Sequence, residues 1–496
     1  MSRPVPLVLT AAVVALLTQP VRAQVAQHER VAEALGVVEV WLDAQRDYEQ
    51  IPSISAAIVH DQELIWSGSV GMAHPDRGIE ATPTTLYSIC SISKLFTSVS
   101  VMQLRDRGLF TLRDHVGDIL PWFELEQQYE GSPPITVEGI LTHSAGLPRE
   151  SNQPYWSAPD FPFPTHDEIV AGLEDQKTLY PARQYFQYSN LGLTLAGEIV
   201  AQVSGMGYHD YVRRNVLDPL GLTNTYSEMP EQHVGGQLAT GYSAMTREGK
   251  REQVPFFQAR GIAPAAGYAS TVEDLAKFAS WQFRLTGNRE EVLHAHTLDE
   301  MHRVHYVDPA WGTFWGLGFS VSRRNDETFI GHGGSCPGFR SQLVLHPESK
   351  IATVAMANAM INAGTYAYGV YDLVAEAITE ATADDDGKTA KASPQGGQDS
   401  QEAVETPDFD DFVGAYSQQP WGGETAVVRW KGGLAMLNLP TDNPLRALTR
   451  IRHQEGDVFR RVRPDDELGE AIVFERGADG RVTGYRRHGN LSPRIR

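Results

Sequence analysis

Ser91 stands three residues before Lys94 in YSICSISKLF (87–96), a run that is otherwise apolar or small. A serine hydroxyl is a weak nucleophile at neutral pH and needs an adjacent base. Residues three apart share a helix face, so Ser91 and Lys94 meet if the run is helical. An amine packed among apolar neighbours gives up its proton more readily, and the neutral amine can then take the serine proton. A helix start near Ser91 also favours negative charge at its backbone N–H. The same spacing arises by chance on protein surfaces, so the pair needs partners.

Two further segments supply them. Tyr188 and Asn190 lie in QYFQYSNLGLTLAGEIV, just ahead of an apolar helical run, and His332, Gly333 and Gly334 close the β-like run TFIGHGG, with Ser335 next. In order and spacing the three segments resemble the serine β-lactamase and penicillin-binding-protein superfamily. The likeness is closest to its class C-like branch of esterases, D-aminopeptidases and carboxypeptidases. That family carries S-x-x-K, then Y-x-N, then K-T-G or H-x-G. The stretches ILTHSAGLP (140–148), APAAGYASTVEDLAKFA (263–279) and WGLGFSV (315–321) look like further family landmarks, so the resemblance covers roughly residues 30–380.

The resemblance implies roles. Ser91 would attack a carbonyl and form an acyl-enzyme. Lys94 and Tyr188 would share the proton traffic, as base in acylation or as acid to the leaving group. Asn190 would donate its amide to substrate or to Lys94. The backbone N–H groups of Ser91 and Ser335 would form the oxyanion hole, where one donor is worth about 3 kcal/mol.

The third motif departs from the lactamase pattern: His332 and Gly333 stand where lactamases place the lysine and threonine that grip a substrate carboxylate. A neutral His332 can still hydrogen-bond and polarise the tyrosine hydroxyl, or it can simply fill space at the strand end. The change favours esters, amides or short D-amino-acid peptides over penicillin. Gly333 and Gly334 would line the substrate, and Arg340 is the candidate replacement cation. No cofactor or metal is implied. The only two cysteines, Cys90 and Cys336, adjoin the first and third motifs. If both motifs line one pocket, the two Cα atoms come near disulfide range. A pair at these positions also resembles that of certain class A carbapenemases, so a Cys90–Cys336 disulfide is expected, the alternative being two buried thiols.

The elements that must carry these residues follow from periodicity. Residues 27–50 read as an amphipathic helix, SISAAIVH and ELIWSGSV as a hairpin, and helical patterns dominate to about residue 220. GLGFSV, TFIGHGG, RSQLVLHP and KIATVAMAN read as strands and INAGTYAYGVYDLVAEAITEA as a closing helix. The expected fold is α/β: an antiparallel sheet flanked by helices with an all-helical subdomain (β-lactamase/transpeptidase-like), plus a small C-terminal all-β barrel-like domain. The expected divisions are a signal peptide at 1–23, a serine hydrolase domain at 24–381, a disordered linker at 382–406 and a small lipocalin-like β domain at 407–496, which is short for a ligand-holding barrel and would cap or dock.

At the N-terminus, Arg3 precedes the apolar run Leu7 to Thr18 and the small-residue site Val21-Arg22-Ala23. This pattern reads as a cleavable secretory signal, too short to span a bilayer, and no cysteine follows for a lipid anchor. A periplasmic or secreted protein is expected. The net charge of −20 argues against nucleic acid or an anionic membrane as partner. A small molecule or short peptide is the expected substrate, and no feature of the sequence sets oligomeric state. Alternatives within the fold are a non-catalytic penicillin-binding or sensor protein, a true β-lactamase, or a D,D-carboxypeptidase. The histidines at 294, 296, 302 and 305 read as a polar surface helix rather than a metal site. The segment ESNQPYWSAPDFPFPTH is either a wall of the pocket or a self-packed loop.

Overall fold

The computed structural model describes residues 23–152, 155–385, 407–419 and 423–496. All but the last residue of the expected signal peptide lies outside the described residues. After helix α1 (Glu29–Tyr48), strands β1 (Ser53–His60), β2 (Glu63–His74) and the two-residue β3 (Ile79–Glu80) begin the main sheet. Helices α2 (Ser93–Asp106), α3 (Asn190–Ser204) and α4 (Val272–Arg284) follow. The chain then returns to the sheet through β4 (Tyr306–Val307), β5 (Phe314–Trp315), β6 (Ser320–Arg324), β7 (Glu327–Cys336), β8 (Phe339–His346) and β9 (Ile351–Ala357). Helix α5 (Ala363–Asp385) closes this part. The strand order is β3-β2-β1-β9-β8-β7-β6-β5-β4, antiparallel throughout. Early and late strands therefore meet at β1 and β9, with Ile54 opposite Ala357 and His60 opposite Ile351.

Alternation along the strands sorts the core into two layers. Ala57, Val59, Leu343, Val354 and Met356 face α2 and the helical region. Ile54, Ala56, Ile58, Val344 and Ala355 face α1 and α5. Seven of the eight β1 residues are buried because both faces are covered. Trp41 of α1 is wholly buried against Tyr366 of α5. A Cβ at Gly369 would stand 2.4 Å from its ring, so a glycine is needed there. Truncating a buried tryptophan costs about 3–5 kcal/mol.

Of the linker expected at 382–406, residues 382–385 belong to α5 and 386–406 lie outside the described residues. One expectation is corrected. The helical patterns expected to dominate up to residue 220 give long helices only in α2 and α3. Residues 107–189 are mostly loop with short helices such as Val137–Leu141 and His166–Leu173.

The C-terminal sheet has eight antiparallel strands in chain order: β10 (Gly414–Ser417), β11 (Glu424–Trp430), β12 (Gly433–Leu439), β13 (Leu448–Glu455), β14 (Val458–Val462), β15 (Leu468–Arg476), β16 (Val482–Arg487) and β17 (Asn490–Pro493). It nearly closes into a barrel where the Ile495 N–H donates to the Ala415 carbonyl at 2.8 Å and Tyr416 bridges Arg494. Phe412, Tyr416, Phe459, Phe474 and Tyr485 fill its interior. Its outer residues Ala426, Val428, Trp430, Leu437 and Leu439 pack in the layer of α1 and α5. The Trp41 indole N–H donates to the Thr441 carbonyl at 2.9 Å, and the Thr441 N–H donates to the Gln45 side-chain oxygen at 2.7 Å. The barrel docks on the sheet face opposite α2 and does not cap the Ser91 region. Among the described residues no helix is long and apolar enough to cross a membrane.

Candidate active site

Ser91 sits in a tight turn that four separate contacts hold. Tyr87–Ser88 pairs with Ala269–Ser270, and the Ile89 N–H donates to the Tyr268 carbonyl at 2.8 Å. Cys90 has φ of +50°, in the left-handed region, before a short 3₁₀ turn at Cys90–Ile92 that leads into α2. The Ser93 hydroxyl donates to the Cys90 carbonyl at 2.5 Å and accepts from the Tyr268 N–H at 3.0 Å. Of the two serines next to Lys94, Ser93 therefore holds the turn. Ser91 is left half-exposed on a cavity of about 410 Å³. That size suits a small ligand.

Lys94 is fully buried one turn into α2. Its Nζ lies 3.2 Å from Ser91 Oγ, 2.8 Å from Asn190 Oδ1 and 2.7 Å from the Ala265 carbonyl oxygen. Burial holds its pKa well below the usual lysine value; the Glu150 carboxylate opposes this and Arg149 reinforces it. Asn190 opens α3, whose cap Ser189 accepts from the Gly192 N–H at 2.9 Å and donates to the Pro148 carbonyl at 2.6 Å. The Asn190 amide nitrogen does not donate to Lys94. Its oxygen accepts from the amine, and its N–H₂ donates to Glu150 Oε1 at 2.7 Å.

Tyr188 sits just before this cap. The Lys94 Nζ and the Arg149 guanidinium lie 4.9 and 5.0 Å from its ring centre. Its hydroxyl oxygen is buried with no hydrogen-bond partner, and burial raises its pKa. Ser91 opposes that rise, so the two hydroxyls are close enough to interact, though short of good hydrogen-bond geometry.

His332 on β7 is 3 % exposed. Its Nδ1 donates to the Gly333 carbonyl at 2.6 Å, and its ring centre lies 6.2 Å from that of Tyr188. Burial, then the nearby Lys94, push its pKa down to about 3. It is therefore a neutral neighbour of the tyrosine. A folded-state pKa below the unfolded value means the unfolded chain binds the extra proton. The stability that His332 contributes is complete above about pH 6.5 and lost as the pH falls towards 3, amounting to about 3 kcal/mol between pH 6.5 and 4. Urea melts at pH 7 and pH 4 should show a smaller loss for His332→Gln than for wild type. Equal losses would refute this account.

The disulfide joins Cys90 to Cys336 with Cα atoms 5.7 Å apart. It brings Ser91 and Ser335, each the next residue to a bridged cysteine, onto the same cavity wall. Beyond Gly331, β7 no longer pairs with β6, so residues 332–336 present an open edge. The approach of β7 to the nucleophile turn requires Gly334, where a Cβ would stand 2.2 Å from the Ile89 carbonyl oxygen. Gly333, Gly334 and Arg340 do not line the cavity; Ser335, Cys336, Pro337 and Gly338 do. Burial lowers the pKa of Arg340.

Glu150 was not singled out from the sequence. It lines the cavity beside Arg149 and accepts from Asn190 and from the Tyr155 hydroxyl. The only cue was its place just after ILTHSAGLP. Trp156, Ala158 and Phe161 of the proline-rich segment form an apolar wall, while Phe163 stacks on Phe257. That segment is both pocket wall and self-packed loop. The helix Ala295–His302 ends before His305, which pairs with Glu138; no cluster of described residues could hold a metal ion.

Residues 38–376 match the family model described as Beta-lactamase. The chain belongs to the beta-lactamase family. It is 28 % identical over 307 residues to Beta-lactamase-like protein 2 of Dictyostelium discoideum, covering 61 % of this chain and 55 % of that protein. It is 26 % identical over 324 residues to the unguisins hydrolase ungD' of Aspergillus campestris, covering 63 % and 59 %. The chain thus spans little more than half the length of these curated relatives. The octameric penicillin-binding protein homologue of Pyrococcus abyssi shares the fold, with a TM-score of 0.61 at 22 % identity, over 89 % of this chain and 96 % of that one.

Proposed function

We propose that this family member is an exported serine hydrolase that works through a Ser91 acyl-enzyme on esters, amides or short D-amino-acid peptides. The observation that carries the reading is the environment of Lys94. Asn190 Oδ1 and the Ala265 carbonyl can only accept hydrogen bonds. They occupy the two N–H groups of a neutral amine and turn its lone pair towards Ser91 Oγ, 3.2 Å away. Burial disfavours the ammonium form that would abolish this. The Ser91 proton passes to Lys94 as the oxygen attacks the carbonyl carbon, and the oxyanion turns to the Ser91 and Ser335 N–H groups. Tyr188 gives its proton to the leaving oxygen or nitrogen, and Lys94 then restores it.

A neutral His332 in place of a fixed cation supports substrates without an obligatory carboxylate at that position. Trp156, Phe161, Val254 and Met360 on the cavity wall support an apolar acyl group. A fungal relative named as a hydrolase supports the reaction class. The segment Leu7 to Ala23 supports export to the periplasm or medium.

The test is a panel of p-nitrophenyl esters, D-amino-acid anilides and a chromogenic β-lactam, with intact-mass analysis of wild type and Ser91→Ala. Turnover of esters or anilides is expected, with an acyl adduct on wild type alone. An adduct on Ser91→Ala, or none on wild type, would overturn the reading. Preference for the β-lactam would make the protein a lactamase.

A further inference from the structure

The rings around Tyr188 hold three polar atoms that the chemistry above does not use. His143 is 1 % exposed, with its ring centre 4.3 Å from that of Tyr188. The Trp315 ring lies 5.1 Å from His143 and 5.5 Å from His332. Four buried atoms in this group have no hydrogen-bond partner: His143 Nε2, Trp315 Nε1, His332 Nε2 and the Tyr188 hydroxyl oxygen. Leaving one such atom unsatisfied costs about 1–3 kcal/mol, so four on rings in mutual contact point to a shared partner.

Their protons can be assigned. His143 Nδ1 accepts from the Ser189 N–H at 3.1 Å, so in the neutral ring Nε2 carries the hydrogen. His332 Nδ1 faces the Gly333 carbonyl and carries the hydrogen itself, so its Nε2 is a bare acceptor. Burial holds the His143 pKa well below normal, with Lys94 and His332 adding to the effect, and keeps the ring neutral. The indole of Trp315 only donates. The set is two donors, one acceptor and a phenol, which is the complement of one water molecule that accepts twice and donates twice.

We propose that these rings hold between them a single water that accepts from His143 Nε2–H and Trp315 Nε1–H and donates to His332 Nε2 and the Tyr188 oxygen. His143 and Trp315 are then positioning residues for Tyr188 in its role as acid to the leaving group. This rests on the acyl-enzyme reading above. As Tyr188 gives up its proton, the charge left on its oxygen is met by a donor water polarised by two N–H groups. Lys94, carrying the Ser91 proton, and Arg149 are the cations beside the ring, and Glu150 is the opposing carboxylate.

The test uses leaving-group sensitivity in the whole protein. His143→Asn keeps an oxygen for the Ser189 N–H and removes Nε2–H; Trp315→Phe removes one N–H from an otherwise similar ring. An alkyl ester needs a proton on its leaving oxygen, whereas p-nitrophenolate departs without one. Each variant should lower kcat/KM about tenfold for the alkyl ester and less than about twofold for the p-nitrophenyl ester. In a Tyr188→Phe background neither should have a further effect. Equal slowing of both esters, or equal slowing with and without the Tyr188 hydroxyl, would overturn the proposal. Should His143→Asn fail to fold, Trp315→Phe decides alone. An active enzyme forming a Ser91 adduct without this selectivity would remove the water site and leave the hydrolase reading intact. Absence of any adduct would remove both.

Discussion

Lys94→Met should lower kcat/KM for an alkyl ester by at least about a thousandfold while leaving the fold as hard to melt as wild type. Loss of a general base costs about two to four orders of magnitude. Here the same amine also supports Tyr188, which argues for the upper part of that range. The effect on stability is a balance. Met removes the cost of burying, in a site with no exposure, an amine that the unfolded chain holds protonated, a cost of several kcal/mol. Against this, the Asn190 side-chain oxygen and the Ala265 carbonyl lose their donor, at about 1–3 kcal/mol each. The two sides nearly cancel, so the thermal midpoint should stay within about 3 °C. The pH dependence should change as well. The unfolded chain takes up a proton that the folded amine lacks, so wild-type stability rises with pH between the lowered folded value and about 10.4. Lys94→Met should flatten that slope. Retention of turnover within tenfold would show that the base lies elsewhere. A collapse in melting temperature would show Lys94 to be structural.

Breaking the Cys90–Cys336 bond should damage both stability and rate. The two cysteines are 246 residues apart in sequence, and the chain-entropy model gives about 5 kcal/mol for closing so long a loop. For a protein this large, the melting temperature of Cys90→Ala/Cys336→Ala should fall by about 5 °C. Each cysteine precedes or follows a residue, Ser91 or Ser335, whose N–H meets the developing oxyanion in the proposed mechanism. Loss of one such donor costs about a hundredfold or more in kcat, so loosening both should cost about tenfold, with little change in KM. Calorimetry and ester kinetics, with and without reductant, measure the two effects. A double variant with wild-type kcat would show that the strand and the turn hold their places without the bond.

What was legible in the sequence was local. Ser91 and Lys94 share one helix face, and Tyr188 and Asn190 straddle one helix cap, so short spacing carries their relation. The strands SISAAIVH and KIATVAMAN were legible as strands from their β-branched and small residues. Their pairing depends on a closure of nearly 300 positions, which periodicity does not encode. Glu150, His143 and Trp315 were not assigned roles. His143 and Trp315 lie in stretches that stood out as family landmarks, but their relation to Tyr188 appears only when three segments converge. In the barrel, the β-like runs TAVVRW and AIVFER lie within strands, and KGGLAMLNL, DVFRRV and RVTGYRR begin one or two residues ahead of theirs. The strand LTRIRHQE offers little apolar alternation to read, because Ile451 is its one buried residue and Arg450, Arg452 and Glu455 are exposed.

The barrel's place has an evolutionary consequence. It meets the catalytic half through Trp41, Gln45 and the tail end of α1, on the far side of a sheet from Ser91. Substitutions along that seam can alter shelf life or heat tolerance while the reaction chemistry drifts separately on the other side. Durability and selectivity are thus open to independent tuning, and a directed-evolution campaign on this scaffold can pursue one without giving up the other.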